Sequence, residues 1–360
     1  MSVAAGSPVE ELDSPQLLLD LDQLDANRTR LQDACRQRRV ALRVHFKSLK
    51  TGGLARYLAA RGVDRFLAAK LNEAEALVDA GIPDVLVANQ IVGERKLARL
   101  AALARRARLA VCADDAANVA DLGRAARAAD AALGVLVEVD IGMHRCGVEP
   151  GAPALALARR VAAEPGLRFA GLQGYDGHLQ LLADRAEKEA KCLAGVESLV
   201  ATRRLIEQAG LPVEVVTGAG TGTWEWVSSV PGVTEIQPGS FLLMDCAYHA
   251  VQPQFGVALT VLATVISRRD GWYVLDAGSK AVSKDFATPV IKGRPGEKVV
   301  KLSEEHTKVE CGGDGPRVGE RREIITAHCC ATMNLHRSVA AVRRGRVEAV
   351  WPIECSGRYD

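Results

Sequence analysis

The chain has 360 residues, 48% of them hydrophobic and 25% charged, with a formal net charge of +2. That balance argues against nucleic-acid binding, and basic blocks such as Arg105-Arg106-Ala107-Arg108 read as a solvated helix end. No apolar run is long enough to span a bilayer, and the N-terminus lacks the basic region and apolar core of a signal peptide, so a cytoplasmic protein without a membrane partner is expected.

Short apolar runs alternate with longer amphipathic ones. Candidate strands fall at 41–45, 65–68, 85–88, 108–112, 133–140, 167–175, 213–217 and 233–237. Helical patterns, with Leu, Ala or Val at three- and four-residue spacing, occupy 53–61, 72–80, 92–105, 114–129, 154–163 and 184–209. Several begin at or near Asp, Asn or Thr, which can cap a helix. This alternation predicts parallel strands with right-handed crossovers. Eight such units fit an α/β fold of the (β/α)₈ TIM-barrel type, placed at 16–250. A doubly wound open sheet is the alternative, but it calls for a Gly-rich first turn that Arg43 to Lys50 does not provide. After about residue 250 the pattern changes to β-branched runs at 256–266, 271–275, 299–302, 307–310, 322–325 and 347–351. They predict a mainly-β C-terminal domain over 251–360, on which residues 1–15 are expected to pack.

Chemistry in such a barrel gathers where the strands end. Lys47 follows the first strand, and a desolvated amine there can attack an aldehyde; Lys50 is the competing amine, and a surface lysine the plain alternative. Arg145, in the turn after strand five, can bind a phenolate or carboxylate. After strand six, Tyr175 can stack, and Asp176 and His178 are candidate proton carriers. A turn with a capping Asp explains the same residues. Thr217-Gly218-Ala219-Gly220-Thr221-Gly222-Thr223 follows strand seven and Gln237-Pro238-Gly239-Ser240 follows strand eight, the two places where barrels often hold phosphate.

Nine cysteines, at 35, 112, 146, 192, 246, 311, 329, 330 and 355, are odd in number and irregular in spacing apart from one adjacent pair. In a cytoplasmic chain this predicts reduced thiols, most of them small core residues. Cys330 stands apart. It follows His328 by two, and in an extended segment both point the same way. A thiolate and an imidazole favour zinc over magnesium, with manganese as the alternative ion; a buried Cys pair beside a structural His is the competing reading.

With these residues in place, the chain resembles the D-threonine aldolase and D-serine dehydratase family of fold-type-III pyridoxal phosphate enzymes, related in architecture to alanine racemase. Arg43-Val44-His45-Phe46-Lys47-Ser48-Leu49-Lys50 is similar to the family's lysine motif, Arg-Pro-His-x-Lys-x-His-Lys. Asn89, Glu138-Val139-Asp140, Arg145-Cys146-Gly147-Val148, Gly218 to Gly222, Met244-Asp245, Asp276 to Lys280, Glu305-His306 and Val350-Trp351-Pro352 also match. The resemblance implies a homodimer with an active site built from both subunits. It implies pyridoxal phosphate joined to Lys47, with His45, Arg145, Tyr175, Gly220, Thr221, Gly222, Gly239 and Ser240 in the cofactor site, and a divalent metal on His328 and Cys330.

The departures bear on the reaction. Val44 and Leu49 replace Pro and His, and Asp176 stands where aldolases of the family often carry His and hydroxyaspartate relatives Gln. Cys330 resembles the dehydratases, while Asn334-Leu335-His336 resembles bacterial aldolases. The expected function is aldol cleavage of a D-3-hydroxy amino acid, of the D-threonine or 3-hydroxy-D-aspartate type, to glycine and an aldehyde. The alternative is dehydration to a 2-oxo acid and ammonia. Racemization is a third reading, and it has no use for a metal pair.

Overall fold

A buried arginine splits the first barrel strand in two. Ala41–Leu42 pairs in parallel with Glu235–Ile236, and Val44–His45 pairs in parallel with Arg65–Ala68. Between them run Asp84–Val87, Arg108–Ala113, Leu133–Glu138, Leu167–Gly174 and Val215–Gly218, each parallel to its neighbours. The sheet therefore closes on itself, as the alternation predicted. This computed structural model describes residues 5–313 and 315–360. The barrel belongs to a compact unit formed by Leu31–Lys47, Leu54–Gly239 and Arg358–Asp360.

The helices fall where the periodicity put them: Gly52–Ala59, Leu71–Asp79, Glu94–Ala104, Ala116–Ala128, Ala152–Ala163 and Arg185–Gln208. Asp115 accepts the Ala117 and Asn118 N–H groups, and Asp184 accepts that of Glu187, so both act as N-caps. Leu67, Leu86, Cys112, Leu136 and Ala170 form one buried cluster drawn from strands alone, which places it on the barrel's inner face. Burial pushes the Cys112 thiol well up, so this cysteine is a small core residue.

Arg43 is 5% exposed. Its Nε donates to Glu235 Oε1 at 2.7 Å, and its Nη1 donates to Asp84 Oδ1 at 2.7 Å and to the Phe66 carbonyl at 3.1 Å. One guanidinium thus ties together four strands. Truncating one partner of such a pair strands the others without water. Arg43→Ala is expected to lower the unfolding free energy by roughly 3–5 kcal/mol, seen as a lower urea midpoint.

The second unit comprises Met1–Arg30, Ser48–Gly53 and Ser240–Gly357. Its strands run Lys298–Leu302, Thr307–Glu310, Trp272–Leu275, Leu259–Arg269, Gln16–Asp20, Ser338–Arg343 and Arg346–Pro352, with Arg321–Ile325 and Val290–Ile291 branching from Leu259–Arg269. All pairings are antiparallel except that of Gln16–Asp20 with Ser338–Arg343. Gln16–Asp20 is thus a β-unit strand, whereas the sequence reading began the barrel at residue 16. Residues 1–4 of the segment expected to pack here lie outside the described residues; beyond them, Val9 N–H donates to the Gly345 carbonyl at 3.0 Å and Leu12 is buried.

Among the described residues, no disulfide joins any of the nine cysteines. Among the described residues, no helix is long and apolar enough to cross a membrane.

Candidate functional site

In the barrel unit, Lys47 leaves the strand Val44–His45 on the short 3₁₀ turn Phe46–Ser48. Its Nζ lies 5.7 Å from the centre of the Tyr175 ring, and the Arg145 guanidinium lies 5.5 Å from the same centre. Two cations over one phenol make a place where an aromatic anion is welcome. Burial, then the Lys47 charge, pushes His45 well below the usual imidazole range, so it is neutral beside that lysine.

Local backbone geometry holds Arg145 in place. Asp140 Oδ1 accepts the Gly142 and His144 N–H groups at 2.9 and 3.0 Å, turning the chain back after strand five. Gly147 has φ +108°, and a Cβ there would stand 2.6 Å from Asp140 N, so only glycine fits. Gly147 N–H and Gln90 Nε2 both donate to Asp114 Oδ2, and Gln90 Nε2 also reaches Glu138 Oε2 at 2.6 Å. Burial raises the Glu138 pKa. Gln90 and Asp114 are not among the residues expected at the site from sequence. Their positions just past Asp84–Val87 and Arg108–Ala113 were the available signal.

The loop after strand seven is held from within. Gly220 N–H donates to Thr223 Oγ1 at 3.1 Å, and Gly222 N–H donates to Gln180 Oε1 at 2.8 Å. A Cβ on Gly220 would lie 2.4 Å from Gln180 Oε1, and one on Gly222 only 2.0 Å from the Gln180 carbonyl. The glycines admit Gln180, and their two N–H groups, expected to face phosphate, are spent on these contacts. Asp176 is 2% exposed and belongs to the same network, which is not the setting foreseen for a proton carrier. His178, on the turn Gly177–Leu179, is exposed, with its ring beside Gly142. Thr217 Oγ1, at the entry to the loop, is buried with no hydrogen-bond partner among the described residues.

In the β unit, the segment at His328 is not extended as expected. Cys329–Met333 is a helix, and only His328, its N-cap, is extended. Five residues are too few to show a period in sequence. Fully buried Asp245 sets this turn: its Oδ2 accepts the Cys329 N–H at 2.8 Å while Oδ1 accepts the Tyr248 N–H at 2.8 Å. The side chains of His328 and Cys330 still meet. Burial acts to lower the His328 pKa, but a hydrogen bond to Cys330 and the charges of Cys330, Asp245 and Asp285 outweigh it and raise it. His328 Nδ1 is buried without a hydrogen-bond partner among the described residues, 3.9 Å from Asp285 Oδ2. Cys330 Sγ lies 3.0 Å from Ser48 Oγ and 3.4 Å from Ser240 Oγ. Ser240, expected in the cofactor site, is thus a neighbour of the thiol. Phe286 packs its ring 5.1 Å from that of His328.

An orphaned imidazole nitrogen beside a thiol suits a soft divalent cation. No three His, Cys, Asp or Glu side chains gather as a metal set among the described residues, so the pair alone leaves coordination positions open. The Lys47–Arg145–Tyr175 cluster and the unpartnered Thr217 hydroxyl likewise suit an anionic aromatic cofactor with an aldehyde.

The family model for the alanine racemase N-terminal domain matches residues 19–246, and a model described as a serine dehydratase domain matches residues 258–342. The chain is similar to a D-threonine aldolase of an Arthrobacter species, at 37% identity over 98% of this chain and 95% of that one. It is similar to a 3-hydroxy-D-aspartate aldolase of Paracoccus denitrificans, at 34% identity over 98% of this chain and 94% of that one. Its structure resembles that of the D-threonine aldolase from Filomicrobium marinum, with a TM-score of 0.96 and 39% identity over 99% of both chains.

Proposed function

Because the chain belongs to the D-threonine aldolase and D-serine dehydratase family, we propose that it cleaves D-3-hydroxy amino acids between Cα and Cβ, giving glycine and an aldehyde. The His328–Cys330 pair, in contact and with an imidazole nitrogen left unpartnered, carries a metal-assisted reaction at the 3-hydroxyl, and cleavage is the first reading of it. Full-length similarity to two aldolases supports it. A racemase has no task for such a pair.

Lys47 would hold pyridoxal phosphate through its amine, with Arg145 and Tyr175 placed to receive the ring and its phenolate. Bound there, the cofactor supplies an electron sink for the charge left at Cα. His328 and Cys330 would hold a divalent ion, zinc by ligand softness, which would supply Lewis acidity toward the 3-hydroxyl. His178, the exposed candidate, takes the hydroxyl proton. The protein acts in the cytoplasm, where its thiols stay reduced, and as a homodimer on the family's pattern.

Dehydration is the second reading, favoured by Cys330 and by the serine dehydratase domain match. There Lys47 removes the α-proton and hydroxide leaves Cβ. Product identity separates the two: D-threonine yields glycine and acetaldehyde by cleavage, but 2-oxobutanoate and ammonia by elimination.

The apolar ring of Phe286 packs beside His328. An uncharged 3-substituent suits that apolar surface better than a second carboxylate, which would lose hydration there. D-threonine is expected to exceed 3-hydroxy-D-aspartate in kcat/KM by about tenfold or more, a difference of ~1.4 kcal/mol in transition-state binding. The reverse order in a steady-state comparison would make hydroxyaspartate the substrate.

A further inference from the structure

Asp176 has no open side. Its Oδ1 accepts hydrogen bonds from Gln180 Nε2 at 2.9 Å and Thr223 Oγ1 at 3.1 Å, and its Oδ2 takes the Cys192 thiol at 3.6 Å. Gln180 Nε2 also donates to Thr223 Oγ1 at 2.9 Å. Gly220 N–H on Thr223 Oγ1 and Gly222 N–H on Gln180 Oε1 close the network, and Gln180 Nε2 also lies 3.4 Å from the Asp176 carbonyl. The Thr223 hydroxyl donates once and accepts twice; the Gln180 amide spends both N–H groups and its oxygen. Reversing the amide would set its NH₂ group against the Gly222 N–H, so the acceptor at Asp176 fixes which way Gln180 faces. Lys188 Nζ, donating to the Gln180 carbonyl at 3.3 Å, pins the same residue from the other end.

We propose that Asp176 is a positioning residue: through Gln180 and Thr223 it holds the Gly220 and Gly222 N–H groups inward and fixes the loop 218–223 beside the unpartnered Thr217 hydroxyl, where the cofactor's phosphate would sit, and it does not carry protons at the substrate. This rests on the functional reading above, which gives the loop a phosphate to hold. A buried, fully satisfied network of this kind holds a backbone in one conformation. Deleting the acceptor frees Gln180 and Thr223 to turn, and the two glycine N–H groups lose their fixed partners.

The test is pyridoxal phosphate affinity, read from the absorbance of the lysine-bound cofactor titrated into the cofactor-free chain, with kcat measured at saturating cofactor. Asp176→Ala and Thr223→Val are expected to weaken affinity by about tenfold or more, because each removes a link. Asp176→Asn keeps an acceptor facing Gln180 and Thr223 and is expected to stay within about threefold of the parent. A proton carrier would give the opposite split: Asp176→Asn would lower kcat by roughly 10²–10⁴ with affinity unchanged, and the proposal would fall. It would also fall if Thr223→Val, which leaves the carboxylate in place and decides the matter should Asp176→Ala not fold, bound cofactor like the parent. A parent chain that binds no cofactor would instead overturn the functional reading.

Discussion

Lys47→Ala is expected to abolish the visible absorbance of lysine-bound pyridoxal phosphate and to lower turnover by at least about 10²–10⁴-fold, the range for losing an essential proton-transfer group. The amine is the only group of Lys47 that can bond the cofactor's aldehyde, and alanine offers no replacement. In the dehydratase reading the same amine is also the base, so the loss is larger still. The competing amine is Lys50. It is buried, sits at φ +55°, and donates from Nζ to the Cys355 carbonyl at 3.3 Å. That amine already serves a backbone acceptor, and Lys50→Ala is expected to leave the absorbance band in place. Persistence of the band in Lys47→Ala, with its loss in Lys50→Ala, would move the assignment to Lys50.

Chelation of the cation is expected to lower turnover by about 10²-fold or more while leaving the lysine-bound cofactor band unchanged, because Lewis acidity toward the hydroxyl is worth several kcal/mol. His328→Ala and Cys330→Ala should each reproduce the effect, and zinc should restore the chelated parent but neither variant. Cys330→Asp keeps two ligands and exchanges a soft donor for a hard one. Its metal preference should move from zinc toward manganese, measurable by reconstituting activity with each ion. Activity that survives thorough chelation would remove the cation from the account and favour a racemase.

The barrel was legible because its strands and helices carry different periods. Leu133–Glu138 is buried along its whole length, and Glu94–Ala104 buries Leu97, Leu100, Ala101 and Leu103 at helical spacing. The helix Leu21–Arg38 was missed because it is largely polar, and Gln16–Asp20 because its partners, Leu259–Arg269 and Ser338–Arg343, lie more than 200 residues away. Lys47, Arg145 and Tyr175 were readable as residues past strand ends, the one place where position alone suggests chemistry. The direction of a side chain was not readable. Asp176 and His178 are two apart in sequence, yet one is sealed under the Gly-rich loop and the other is exposed. The same limit hid the inward turn of the Gly222 N–H group, which depends on Gln180 some 40 residues upstream.

The most direct measurement is the NMR spectrum of products formed from D-threonine with pyridoxal phosphate and zinc, run beside a sample containing EDTA. Glycine and acetaldehyde in the first tube and neither in the second is the predicted result, and it joins the bond cleaved to the metal pair. 2-Oxobutanoate and ammonia would contradict the aldolase account and make Cys330 the mark of a dehydratase.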